Sequence, residues 1–331
     1  MTTNVELAAV IDIGSNSIKI LVAGRFGPGR ALYSVFQKTL DARISAGISK
    51  TNPILTGEGM TRGIAAIREL LGEAGRFAPA RVILVATSAV RDALNGGVFR
   101  RRVREATGHE IRVLSGIEEA GYIGRGLGCD PALAGLRDFY VFDLGGGSLE
   151  CLAFRGRGIV RETSLQLGCV RLMEKFVDDP AQPVSPGALR AINEYVKAAL
   201  AGEGEMARQT AATGRFGGGG FLFNLPEAAA AIVTGGTTVT ARAMLGAAAG
   251  RTLDETSPRL ALADLRALLA RVAGAGLEAR RAMPGMPFGR ADVFPAALAI
   301  IVALAEAAGF SVFQTSLFNL RWGVADEALG K

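Results

Sequence analysis

The chain is 331 residues long and carries a net charge of +6, enough for two domains at roughly 100 to 200 residues each. It is 49% hydrophobic, 21% charged and 6% aromatic with 44 glycines, an α/β profile rich in turns and not a disordered, fibrous or membrane-embedded one. Three separated cysteines (Cys129, Cys151, Cys169) and the single His109 exclude a disulfide framework, a zinc site and a His-rich metal centre.

Residues 7–38 read as a meander of three strands, with Gly27-Pro28-Gly29 as its second turn. No cationic stretch precedes the first apolar run, which Asp12, Asn16 and Lys19 interrupt, so no secretory signal is expected. Helical spacing follows from Gly57 to Leu71, then a strand from Val82 to Ala86 that leads into Thr87-Ser88. A helix from Val98 to Ala106 carries Arg100, Arg101, Arg102 and Arg104, read as a solvated face. With no aromatic residues interleaved, these arginines do not suggest a nucleic-acid surface. A short strand, Ile111 to Leu114, precedes a helix that begins near Ser115.

The second half repeats this order. Strands are expected at 139–144, 149–155 and 158–165, then helices from Gly168 and Pro186, a strand at 229–234 and further helices. The glycine-rich stretch Thr213 to Gly220 reads as a loop insertion. Val293 to Ala305 is the longest apolar run; it falls short of the ~20 residues that span a bilayer and reads as a buried core helix. Met244, Phe294 and Phe310 read as core, His109 as an exposed structural residue, and the cysteines as buried small residues in a reducing compartment. A cytoplasmic protein of two α/β domains with a cleft between them is the expectation.

The strongest signal is a device that occurs in each half: Ile11-Asp12-Ile13-Gly14-Ser15-Asn16-Ser17 and Phe142-Asp143-Leu144-Gly145-Gly146-Gly147-Ser148. An apolar strand, an aspartate, a glycine and hydroxyl turn and a second strand make a phosphate clamp, because glycines reaching positive φ let successive N–H groups converge on an anion. If Leu144 to Gly147 form the second loop, Asp143 lies opposite Ser148, and Glu150 falls on the face of Asp143. Two carboxylates and a hydroxyl at the mouth of such a loop suit Mg²⁺. Ser115-Gly116-Ile117-Glu118-Glu119-Ala120 opens a helix on which adjacent side chains diverge by about 100°, so one glutamate is available as a general base and the residues do not say which. Gly235-Gly236-Thr237 follows a strand and opens a helix, a further place for an anion.

With these motifs in order, the chain resembles the Ppx/GppA family of exopolyphosphatases and guanosine pentaphosphate phosphohydrolases. The resemblance is carried by Asp12 to Ser17, Ala86 to Ala93 with Asn95, Ser115 to Ala120, Asp143 to Glu150, Gly235-Gly236-Thr237, Arg290-Ala291-Asp292 and Asn319 to Gly323. It implies an actin-like (ribonuclease H-like) α/β fold duplicated in two domains, with residues 1–125 and a C-terminal helix near 317–331 in the first and 126–316 in the second. It also implies Mg²⁺-dependent hydrolysis of the terminal phosphoanhydride of inorganic polyphosphate or of pppGpp. Glu119 matches the family's proposed catalytic glutamate, and Asp143 and Glu150 its metal positions, with Asp12 beside them. The remaining phosphate contacts fall to Gly14, Ser15, Asn16, Ser17, Lys19, Arg91, Gly145, Gly146, Gly147, Ser148, Gly235, Gly236 and Thr237. A homodimer is expected by analogy alone. Gly121, Leu149 and Trp322 depart from the family pattern without removing a catalytic group. Two other readings use the same residues: an actin-fold kinase or ATPase whose Gly235-Gly236-Thr237 seats adenosine, and a non-catalytic sensor of polyphosphate or pppGpp.

Overall fold

The computed structural model describes residues 6–27, 31–48, 53–156, 158–202 and 229–330. Pro28 and Gly29 of the expected turn and the stretch 213–220 lie outside them. The chain forms two compact units, Met1–Gly135 with Phe318–Lys331, and Leu136–Leu317.

The first unit is built on a five-stranded sheet in the order β3-β2-β1-β4-β5. The strands are β1 (Glu6–Ile13), β2 (Ile18–Arg25), β3 (Leu32–Leu40), β4 (Arg81–Ala86) and β5 (Ile111–Val113). β1, β4 and β5 run parallel, and β2 and β3 run antiparallel to their neighbours. β1 is apolar without alternation because it is the middle strand and is covered on both faces, with Ala8 to Ile11 fully buried. β3 is the edge, and Lys38 blunts it in ion pairs with Glu69 and Glu73 of the helix Gly57–Gly75.

The second unit repeats the plan with a six-stranded sheet, β10-β11-β9-β6-β7-β8. Here β6 (Phe139–Leu144), β7 (Leu149–Arg155) and β8 (Gly158–Leu165) form the antiparallel meander, and β9 (Ala230–Thr234) and β11 (Val312–Thr315) continue it in parallel. β10 (Arg259–Ala261) is an added antiparallel edge. Neither β10 nor β11 is anticipated from the sequence, since strands this short carry no readable alternation. The apolar run near 293–305 is the helix Phe294–Ala308, buried on every side through Ala305. Among the described residues no helix is long and apolar enough to cross a membrane. Cys151 and Cys169 are buried, whereas Cys129 is half-buried.

The C-terminal helix Leu320–Ala328 belongs to the first unit because glycines let its backbone meet that of the helix Gly116–Leu127. A Cβ on Gly126 would overlap Asn319 O, and one on Gly323 would overlap Tyr122 O. Asp326 completes the seam by pairing with Arg25 and, at 2.6 Å, with Arg125. Arg321 Nη1 donates to Ile20 O at 2.8 Å. Trp322, the chain's single tryptophan, is buried in this seam against Phe318. Gly323→Ala is therefore expected to cost the unit about 1–3 kcal/mol by overpacking. Thermal unfolding followed by Trp322 fluorescence checks this; an unchanged midpoint would contradict the close backbone contact.

Candidate active site

In each unit the loops that carry the motifs leave the carboxyl ends of parallel strands, the place where open α/β sheets bind ligands. In the first unit these are the loop Gly14–Ser17 after β1, Thr87 after β4 and Ser115 after β5. Thr87 N–H donates to Ile13 O and Leu114 N–H to Ala86 O, which laces the strand ends together.

The loop of residues 14–17 is closed by Gly14 N–H donating to Ser17 O at 3.2 Å, and residues 145–148 are closed by Gly145 N–H donating to Ser148 O at 3.0 Å. Gly14 and Gly145 do not take positive φ, contrary to the expectation for this turn; a Cβ there would stand 3.1 and 3.4 Å from the serine carbonyl that closes each loop. Closeness, not handedness, is the requirement at these two positions. Ser15, Asn16 and Ser17 are buried. Ser45 donates both its N–H and Oγ to Ser15 O, Arg43 N–H donates to Asn16 O, and Ser15 Oγ lies 3.4 Å from Ser88 Oγ. Asn16 Nδ2 is buried with no hydrogen-bond partner.

The register corrects the expected pairing of Asp143 with Ser148. Ser148 lies in the loop, Leu144 faces Leu149, and Asp143 stands directly opposite Glu150. The equivalent pair in the first unit is Asp12 opposite Lys19. The two hairpins thus share a geometry and differ in charge: one holds two carboxylates side by side, the other a carboxylate and an ammonium. Burial pushes the Asp12 carboxyl up, and the charges of Lys19 and Arg321 pull it back down. Glu150 is 1% exposed, and Ser164 Oγ donates to its Oε1 at 2.8 Å. The all-oxygen pair Asp143–Glu150 fits a hard divalent cation, which needs only one or two carboxylates beside water and phosphate oxygens. No group of three or more His, Cys, Asp or Glu side chains suited to a metal occurs among the described residues.

The adjacent glutamates are separated by their surroundings. Ser115 caps the helix Gly116–Leu127, and Glu118 returns the bond to the Ser115 N–H in a capping box. Glu118 also pairs with Arg112 at 2.8 Å, and these hydrogen bonds, the one from the Ser115 backbone foremost, lower its pKa to about 2. Glu119, one residue on, turns inward, is 7% exposed and meets Arg91 Nη1 at 2.8 Å. Arg91 donates further to Leu114 O and Asp92. Arg91, expected as a phosphate clamp, is ion-paired with Glu119. Gly121, where many family members carry arginine, has open space around its α-carbon, so no crowding accounts for that glycine.

In the second unit, Gly168 packs so closely on the peptides of Gly146 and Gly147 that a Cβ would overlap them. Cys169 and Val170 donate N–H groups to Gly145 O and Gly146 O, and Arg171 Nε donates to Gly147 O. The carbonyls of the loop are thereby directed to this segment. β9 ends at Thr234 opposite Asp143. Gly235 takes φ 95°, and a Cβ there would come 2.5 Å from Asp143 Oδ1. Gly236 opens the helix Gly236–Ala248 with the Arg290 guanidinium against its α-carbon, and Thr237 Oγ1 is buried without a hydrogen-bond partner.

The first unit therefore brings together Asp12, Gly14–Ser17 and Lys19, linked through Ser88 and its short helix to Arg91 and Glu119. The second brings together Asp143, Gly145–Ser148, Glu150 and Gly235–Thr237. Sequence reasoning assigned no part to Ser88, Ser164, Gly168, Arg171 or Arg290. Only Ser88, in a Thr-Ser pair after a strand, and Arg290, in a family motif, left any signal.

Residues 22–331 match the model of the Ppx/GppA phosphatase family. Similar solved structures include an exopolyphosphatase from Cytophaga hutchinsonii (22% identical, 98% of each chain covered, TM-score 0.81). An exopolyphosphatase-like protein (23% identical, 97% of each chain covered, TM-score 0.79) and the Aquifex aeolicus Ppx/GppA family member (21% identical, 98% of each chain covered, TM-score 0.73) are also similar. They share the duplicated α/β fold.

The Glu118 cap makes a pH-dependent prediction. Its pKa is lowered in the folded state from the ordinary 4.5 to about 2, so its contribution is complete above the unfolded value and is lost as pH falls through that window. Glu118→Gln is expected to be less stable than the parent at pH 7 by a few tenths to about 1 kcal/mol, given its exposure to solvent. Chemical denaturation at several pH values should show the two curves merging toward pH 2; a gap independent of pH would refute the assignment.

Proposed function

Because the chain belongs to the Ppx/GppA phosphatase family, we propose that it is an exopolyphosphatase. It releases the terminal orthophosphate of inorganic polyphosphate by in-line attack of water, and the same chemistry on pppGpp gives ppGpp. The observation that carries this reading is Glu119, a buried carboxylate at the carboxyl end of the sheet held by Arg91, while its neighbour Glu118 is occupied by the helix cap.

Glu119 accepts the proton of the attacking water, a contribution typically worth ~10²–10⁴-fold. Arg91 fixes the direction of that carboxylate, and in the first unit Lys19 with the loop of residues 14–17 takes phosphoryl oxygens, while the loop of residues 145–148 is the equivalent clamp of the second unit. The N-terminus of the helix Gly236–Ala248 and Arg290 supply further positive potential to the phosphates. Asp143 and Glu150 would hold Mg²⁺; Asp12 is less suited because Lys19 stands opposite it. When bound, the ion neutralises charge on phosphoryl and leaving-group oxygens.

Phosphate release should be measured on long and short polyphosphate, pppGpp and ATP, each with Mg²⁺ and with EDTA. Metal-dependent release from polyphosphate or pppGpp is expected; release from ATP alone would favour the kinase-like reading, and binding without release the sensor. Glu119→Gln is expected to lower turnover by at least ~10²-fold with polyphosphate affinity within a few-fold of the parent. Parallel loss of affinity would assign Glu119 to binding or structure instead.

A further inference from the structure

Residues directly opposed on paired strands lie on the same face of a sheet. In the second unit this draws a polar row across four strands: Thr234 on β9, Asp143 on β6, Glu150 on β7 and Ser164 on β8. Two hydroxyl residues thus flank the two carboxylates. The corresponding row of the first unit is Val85, Asp12, Lys19 and Thr39, with an ammonium where Glu150 stands and valine where Thr234 stands.

Glu150, 1% exposed, has Asp143 on one neighbouring strand and Ser164 on the other. Asp143 presents it with a like charge, which sets the two carboxylates against each other. Ser164 presents it with a donor, Oγ to Glu150 Oε1 at 2.8 Å. A glutamate side chain has three torsions, and the last, which turns the carboxylate, has broad minima. A hydroxyl carried on β8 restrains that torsion, because Thr163 and Leu165 on either side of Ser164 are buried and keep its strand in register. Bonds of this kind to a metal-ligating carboxylate set its orientation ahead of the ion, and their removal typically costs ~10- to 100-fold in metal affinity.

We infer that Ser164 is a positioning residue, whose hydroxyl orders Glu150 for a divalent cation shared with Asp143. The inference rests on the phosphatase reading for the cation and extends it to a residue outside the two motif hairpin loops.

Titration of the whole, substrate-free protein with Mn²⁺, with the free ion followed by electron paramagnetic resonance, tests it without turnover. Ser164→Ala is expected to weaken Mn²⁺ by ~10- to 100-fold. Ser164→Thr keeps the hydroxyl on a side chain suited to a strand and should stay within a few-fold of the parent. Asp143→Asn should remove the site. Parent-like affinity in Ser164→Ala, even with a lower thermal midpoint, would reduce Ser164 to a structural partner, and equal loss in both Ser164 variants would show that the hydroxyl is not what acts. Either result overturns the inference, while loss of Mn²⁺ in Asp143→Asn would leave the carboxylate pair standing. A parent that takes no Mn²⁺, or an Asp143→Asn protein that binds it like the parent, would overturn the inference together with the metal assignment. Phosphate release from polyphosphate in that case would keep the phosphatase reading and move its metal elsewhere.

Discussion

The hairpin register carries the rest of the site. Each motif hairpin is closed by a single backbone bond from the first loop residue to the carbonyl of the fourth, Gly14 to Ser17 and Gly145 to Ser148. That closure makes Ile13 face Ile18 and Leu144 face Leu149, and so sets Asp12 against Lys19 and Asp143 against Glu150. Strand side chains alternate with period two, so a slip of one residue in one strand would turn its polar member into the core and its apolar neighbour out. Burial of Leu144, Leu149 and Cys151 on the second hairpin makes such a slip costly. The carboxylate pair is held by the hydrophobic core beneath it.

From the same closure comes a division between the units. Duplicated backbones present different electrostatics, because lysine stands in one hairpin where glutamate stands in the other. An ammonium beside a carboxylate is nearly neutral as a pair and suits a phosphate loop. Two adjacent carboxylates repel each other unless a cation or proton intervenes, so the chemistry of such a pair suits a divalent ion.

Burial and capping make the corresponding choice on the helix Gly116–Leu127. Glu118 and Glu119 are chemically identical and adjacent, yet one completes a capping box at the surface and the other is sealed against Arg91. A carboxylate that closes a helix cap is already committed to two donors, whereas one held by a guanidinium on the inner side has a fixed direction to act along. Arg91 itself arrives from the short helix Ser88–Arg91, which also brings Ser88 to Ser15, so one turn of chain connects the loop of residues 14–17 to the glutamate.

Strand and helix order was legible in the residues because the apolar runs of β1, β2, β6 and β7 are long, and because glycine-hydroxyl turns with a strand-end aspartate are rare enough to be recognised twice. From local chemistry alone came the motif residues, the absence of a disulfide or His-rich metal framework, and the fact that one of two adjacent glutamates was available. Only tertiary structure decided which of the two is buried against Arg91, 28 residues away. It likewise decided that Asp143 faces Glu150 and not Ser148, that Gly168 supports the loop of residues 145–148 and that Arg290 rests on Gly236. The first is set by how the hairpin closes and the others are close approaches between residues distant in sequence, and local composition carries no record of where such a partner will be.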